Sequence, residues 1–189
     1  MKIAVLGSGG WGTALALVLL ENGHDVTLWS YAEEESAVLR QTGENPMLKG
    51  VALPKELKLT ADLTCVKGCG AVVLATPSFA VRTTARAAAP LLDPGAVLVS
   101  VSKGIEKDTS LTLTEAIEQE VGDAHPIVAL SGPSHAEEVG RHIPAVVVTA
   151  SKDRSAAEQV QDLFMNERFR VYATDDVVGV ELGAALKNV

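Results

Sequence analysis

The sequence predicts a doubly wound α/β fold, a mostly parallel sheet with helices on both faces. Three observations carry that expectation. The first thirty residues read as strand, glycine turn, helix and strand. Later segments are continuous apolar runs rather than alternating ones, the pattern of strands covered on both sides. Of the 189 residues, 47% are hydrophobic and only 4% aromatic, enough apolar chain to bury the core such a sheet needs.

The elements follow in order. Residues 2–6 read as a buried strand and residues 13–20 as an apolar helix stopped by Asn22-Gly23, with a second strand at 25–29. Between the first strand and the helix lies Gly7-Ser8-Gly9-Gly10-Trp11-Gly12, a Gly-x-Gly-x-x-Gly turn in the setting that gives it meaning. Gly7 permits the sharp turn, Gly9 lets backbone N–H groups approach a pyrophosphate, and Gly12 lets the helix pack closely on the strand. The helix N-terminus then offers free N–H donors to an anion.

Ser30 to Glu33 suggests a capping box opening a helix to about residue 41. Residues 42–54, rich in Gly, Asn and Pro, read as a loop, followed by a short strand at 57–60 and a helix at 61–67. The strand at 71–75 ends in Thr76-Pro77-Ser78-Phe79, a turn into a helix over 80–89. A strand at 97–101 ends in Ser102-Lys103-Gly104, and a helix spans about 109–121. The strand at 127–130 ends in Ser131-Gly132-Pro133-Ser134, where Ser134 is a candidate N-cap. Strands at 145–149 and 169–173 flank a helix running to 165, opened by a second capping box, Ser155 to Glu158.

Parallel strands joined through helices use right-handed crossovers, and ligands of such sheets bind beyond the strands' carboxyl ends. The glycine turn, Thr76-Pro77, Ser102-Lys103-Gly104 and Ser131 to Ser134 all fall there and should converge on one rim.

The net charge of −8 argues against a nucleic-acid partner, which would require a basic face. Cys65 and Cys69 stand four apart with no further cysteine, so reduced thiols are expected and no metal site. The chain opens in a strand and holds no apolar run of transmembrane length, so the expected location is cytoplasmic. None of the four histidines is chosen as a catalytic base, and His24, beside the helix stop, reads as structural.

Six segments in sequence order carry a resemblance: 7–16 (GSGGWGTALA), 22–24 (NGH), 76–78 (TPS), 102–106 (SKGIE), 131–136 (SGPSHA) and 183–189 (GAALKNV). Together they resemble the bacterial NAD(P)-dependent glycerol-3-phosphate dehydrogenases. The resemblance implies a Rossmann-like cofactor domain over 1–189, with about 176–189 opening a helical substrate domain that this chain does not contain. It implies NAD or NADP as cofactor, a phosphorylated small-molecule substrate and a homodimeric parent enzyme. Cofactor contacts are expected at Gly7, Gly9, Gly10, Trp11, Gly12, Tyr31, Pro77, Lys103 and Ala136. Substrate contacts are expected at Lys103, Gly132, Ser134 and Lys187.

The resemblance also makes Lys187 the proton carrier. From Val177 to Val189 the only charged residues are Glu181 and Lys187. A lysine on so apolar a segment either snorkels or is partly desolvated, and desolvation lowers an ammonium pKa toward neutrality. The choice between NAD and NADP stays open: Leu28-Trp29-Ser30-Tyr31 carries neither the acid nor the arginine that would fix it, although Glu33, Glu34 and Glu35 follow and lean toward NAD. Two rival readings are a β-hydroxyacid dehydrogenase and a nucleotide-sensing domain without catalysis. The first typically carries Lys-x-x-Asn, whereas Asn188 directly follows Lys187 here.

Overall fold

In the computed structural model, which describes residues 1–188, one sheet of eight strands takes the order β3-β2-β1-β4-β5-β6-β7-β8. Val189, the last residue of the 183–189 segment, lies outside the described residues. The strands are β1 (Lys2–Leu6), β2 (Asp25–Trp29), β3 (Lys58–Thr60), β4 (Ala71–Leu74), β5 (Val97–Ser100), β6 (Ile127–Ser131), β7 (Ala145–Ala150) and β8 (Phe169–Thr174). The helices are α1 (Gly10–Glu21), α2 (Glu33–Thr42), α3 (Val81–Ala88), α4 (Leu113–Val121), α5 (Ala136–Gly140), α6 (Arg154–Phe164) and α7 (Val177–Ala185).

The expected doubly wound sheet is present, with one reversal. All neighbours from β3 to β6 pair in parallel, β7 runs antiparallel to β6, and β8 parallel to β7. The connection after β6 contains only the five-residue α5, which packs on α1 and turns the chain back instead of carrying it across the sheet. The apolar run at 145–149 is accordingly not covered on both faces. Val147 is buried, while Val146 on β7 and Tyr172 on β8, which pairs with Val148, are about half exposed.

Two cores flank the sheet. One joins Ile3, Val5, Leu15, Leu19, Leu28 and Phe164 under α1 and α6. The other joins Leu6, Leu74, Val81, Leu98 and Ile117 under α3 and α4. Helix α1 is buried from Gly12 to Leu19, and its far end is latched to the end of α6. There the Asn22 amide donates to Leu163 O at 2.8 Å and His24 Nε2 lies 3.2 Å from the same oxygen. His24 is structural, as the sequence suggested.

Three helix starts differ from expectation. Ser30 still belongs to the ladder, its N–H donating to Thr60 O, so α2 is opened by Ala32 without a side-chain cap. Asp153, not Ser155, caps α6 by accepting from the N–H groups of Ser155 and Ala156, and Glu158 instead pairs with Arg154 one turn back. The capping box lies at Thr112 and Glu115, which moves the start of α4 from 109 to 113. The segment expected as a helix over 61–67 is a 3₁₀ turn, Leu63–Val66, capped by Asp62. Cys65 and Cys69 are free thiols, and burial pushes Cys65 up to about 11. Among the described residues no helix is long and apolar enough to cross a membrane, and no group of three or more His, Cys, Asp or Glu could hold a metal.

Candidate active site

A cleft of about 1240 Å³ opens along the carboxyl ends of β1, β2, β4 and β5, with the loops after β6 and the end of the chain closing one side. Its floor is the glycine turn. Gly7 has φ +124° and its missing side chain faces Ala75 O, 2.6 Å from where a Cβ would sit. A Cβ on Gly12 would fall 2.0 Å from Gly7 O, so the first turn of α1 lies directly on the end of β1. Gly9 is different: a Cβ there would meet nothing within 4 Å. The two outer glycines shape the backbone, and Gly9 faces open space above the helix.

Gly9 is also the N-cap of α1, and among the described residues no side chain caps the helix's first N–H groups, which face the cleft. The loop over 42–54 contributes a support that the sequence reading missed. Asn45, almost fully buried, donates from its amide to Ser8 O at 2.8 Å and Thr13 Oγ1 at 2.6 Å, while its Oδ1 accepts from Met47 N–H. Met47 O in turn stands 2.6 Å from the position a Cβ on Gly10 would take. Gly10 is thus needed for packing against this loop. An asparagine in a Gly/Asn/Pro-rich loop gives no local sign of such a role, because the two partners its amide donates to lie more than thirty residues away.

Tyr31, 86% exposed, stands edge-on to Trp29 and lines the cleft, as does Phe79, 85% exposed, which sequence reasoning did not single out. Glu35 also lines it, with its Oε2 3.5 Å from Ser8 Oγ, which makes it the member of the 33–35 acidic run that faces the cleft. Pro77 lines the wall after β4, and the Ser102 hydroxyl donates to Thr76 O at 2.5 Å, tying the ends of β4 and β5 together.

Two lysines meet in the cleft. Lys103 Nζ donates to Gly132 O at 3.0 Å and lies 5.9 Å from the centre of the Trp11 ring. Lys187 Nζ donates to Ser134 O at 3.3 Å. Both ammonium groups are therefore held by carbonyls of one turn. Burial, and after it the neighbouring Lys187, lowers the Lys103 ammonium to about 8. The sequence reading gave no sign of this depression at Lys103, which depends on burial in the cleft and on a lysine 84 positions away.

Gly132 does not line the cleft. It supplies the carbonyl for Lys103, and a Cβ on it would meet Val146 O at 2.6 Å, so glycine is required where β7 passes. Ser134 is not the cap of α5, which begins after His135. Its hydroxyl is buried on the cleft wall with no partner among the described residues, as are Trp11 Nε1 and Thr76 Oγ1. Ala136, the first residue of α5, completes the wall beside Gly10.

The arrangement suits an elongated anionic ligand. Exposed aromatic rings, an uncapped helix terminus and two cationic groups share the cleft, and three orphaned polar atoms lie on its wall. An orphaned buried donor or acceptor costs free energy unless a ligand satisfies it.

Comparison with known proteins agrees with this geometry. The sequence model described as NAD-dependent glycerol-3-phosphate dehydrogenase N-terminus matches residues 2–157. The chain is 51% identical over 190 residues to glycerol-3-phosphate dehydrogenase [NAD(P)+] of Moorella thermoacetica, covering 100% of this chain and 56% of that protein. It is 48% identical over 192 residues to the protein of the same name from Bacillus pumilus, with the same coverage. The crystal structure of glycerol-3-phosphate dehydrogenase from Coxiella burnetii superposes with a TM-score of 0.93 at 36% identity, over 99% of this chain and 57% of that one. The chain thus spans just over half the length of the relatives it matches.

Proposed function

The chain belongs to the family of N-terminal regions of NAD-dependent glycerol-3-phosphate dehydrogenases, and from this premise we propose that it is the nucleotide-binding part of an oxidoreductase interconverting glycerol 3-phosphate and dihydroxyacetone phosphate. The observation that carries the reading is the meeting, in one cleft, of an uncapped helix N-terminus under Gly9 with the paired lysines Lys103 and Lys187.

The residues fit an NAD- or NADP-type cofactor. Backbone N–H groups at the start of α1 bind the pyrophosphate, and the space above Gly9 admits it. Tyr31 and Phe79 flank the adenine end, while Pro77, Trp11 and Ala136 wall the remainder. When bound, the nicotinamide supplies the hydride acceptor or donor.

The other chemistry belongs to the chain. Lys187 takes the proton from the alcohol oxygen in one direction and returns it to the carbonyl oxygen in the other. Lys103 lends positive charge beside that oxygen and to the phosphorylated substrate, and the Ser134 hydroxyl orients the substrate from the turn that holds both ammonium groups. Lining from a further, helical region completes the pocket, with residues from about 176 opening that region. The same reading carries a homodimeric assembly and a cytoplasmic location, both resting on the family relation.

The test uses the longer protein that contains this chain. Oxidation of NADH or NADPH should depend on dihydroxyacetone phosphate. Lys187→Ala should lower kcat by about a hundredfold, the usual scale of general acid–base catalysis, with cofactor Kd nearly unchanged. Cofactor binding without any turnover of dihydroxyacetone phosphate would overturn the reading, and a Lys187→Ala protein with parental kcat would remove that lysine from the proton step.

A further inference from the structure

Glu181 is the one charged residue among the described residues that is buried, 7% exposed, and it does not line the cleft. It sits on α7, less than two turns before Lys187. Its Oε1 accepts from the Thr114 backbone N–H at 3.0 Å, and its Oε2 accepts from the Thr114 hydroxyl. Thr114 is in the first turn of α4, so the carboxylate ends at the positive pole of a helix.

The same turn of α4 holds the other lysine's segment. Thr112, the cap of α4, forms an antiparallel bridge with Ile105, two residues beyond Lys103, and Glu106 N–H donates to Leu111 O at 2.9 Å. The segments bearing Lys103 and Lys187 are therefore fastened to one point, residues 112–114, behind the cleft wall.

We propose that Glu181 and Thr114 are positioning residues, which set the height and rotation of α7 on the first turn of α4 and thereby hold Lys187 in register with Lys103. A well-packed apolar residue in place of Glu181 would hold α7 down as firmly, since burying a carboxylate costs desolvation free energy that its hydrogen bonds only offset. What the carboxylate adds is a two-point, directional attachment. This inference rests on the proton-transfer role of Lys187 given above.

The experiment compares Glu181→Asp, one methylene shorter with the charge kept, with Glu181→Gln, equal in length with the charge removed, in the longer protein. Positioning predicts that Glu181→Asp lowers kcat by about ten- to a hundredfold, the cost of small misplacements of a reacting group. It predicts cofactor Kd unchanged and Glu181→Gln restoring most of the kcat. In the same protein the Lys103 ammonium, which burial and then Lys187 hold down, should titrate higher in Glu181→Asp as Lys187 withdraws.

A folded Glu181→Asp protein with parental kcat and an unmoved Lys103 titration would overturn the proposal, as would loss of kcat in Glu181→Gln equal to that in Glu181→Asp. If Glu181→Asp does not fold, Thr114→Val, which removes one of the two donors at constant volume, should still lower kcat with cofactor Kd intact, and parental kcat there is equally decisive. Absence of turnover in the parent protein refutes the functional reading instead, and the Lys103 titration then decides the positioning alone.

Discussion

Single residues in the cleft divide into those that shape the backbone and those that face a ligand, and substitution separates them. Gly9→Val should leave the folded protein with nearly its parental melting temperature, because the added atoms enter open space. Its binding of NADH, followed by calorimetry, should fall below detection if that space holds the pyrophosphate as proposed. Gly12→Ala should do the reverse first: its Cβ would lie 2.0 Å from Gly7 O, so thermal unfolding should shift markedly downward. Lys103 gives a pH signature. Lowered to about 8, its ammonium is protonated below that pH and neutral above it. If Lys103 attracts the phosphorylated substrate as proposed, that attraction is present below pH 8 and lost above it, so KM for that substrate should climb through pH 8 to 9. Lys187→Met, which deletes the neighbouring cation, should move that rise to higher pH.

At the scale of elements, α3, α4 and the loop after Lys103 are bound by one charged cluster. Arg82 on α3 donates to both oxygens of Glu106 at 2.7 Å and to Glu120 on α4 at 2.8 Å, while Arg86 makes two further bonds to Glu120. Hydrogen bonds from Arg82 and Thr109 hold Glu106 at about 2, and bonds from Arg86 and Arg82 hold Glu120 at about 2. Folded-state values below the ordinary carboxylate range mean a stabilising contribution that is complete above about pH 4.5 and drains away as pH falls toward 2. Circular-dichroism melts should show the melting temperature falling across that window. In Arg82→Gln the melting temperature should be lower at pH 7 and its fall through the window shallower. A variant that melts like the parent at every pH would show that the cluster contributes nothing to holding these elements.

For the whole molecule, the glycine turn, α1 and the strands around them lie together in the one sheet, and the cleft residues proposed to meet the nucleotide fall within 7–136. If the proposed function holds, the 189-residue chain by itself should bind NADH in calorimetry while turning over dihydroxyacetone phosphate at no measurable rate, and the longer protein should do both. Turnover by the short chain would show that the remaining region is dispensable for catalysis, and absence of binding would show that the cleft needs it to form.

The kinds of element and their order could be read from the sequence alone, because periodicity and glycine placement act locally: apolar runs make buried strands, and Gly7, Gly9 and Gly12 make one particular turn. The convergence of four strand ends on one rim followed from the rule that parallel strands point the same way. Only the tertiary structure decided the reversal at β7, since a five-residue helix and its flanking turns look locally like any short crossover. It also decided which serine, threonine or aspartate caps each helix, because Ser30 and Ser155 compete with ladder and neighbour contacts that no four-residue pattern contains. Asn45 beneath the glycine turn, the joint hold of Gly132 and Ser134 on two lysines, and Glu181 on α4 are all contacts between residues 29 to 67 positions apart. Such pairings are fixed by how the layers close on one another, a choice made by the packing of the whole chain rather than by any segment of it.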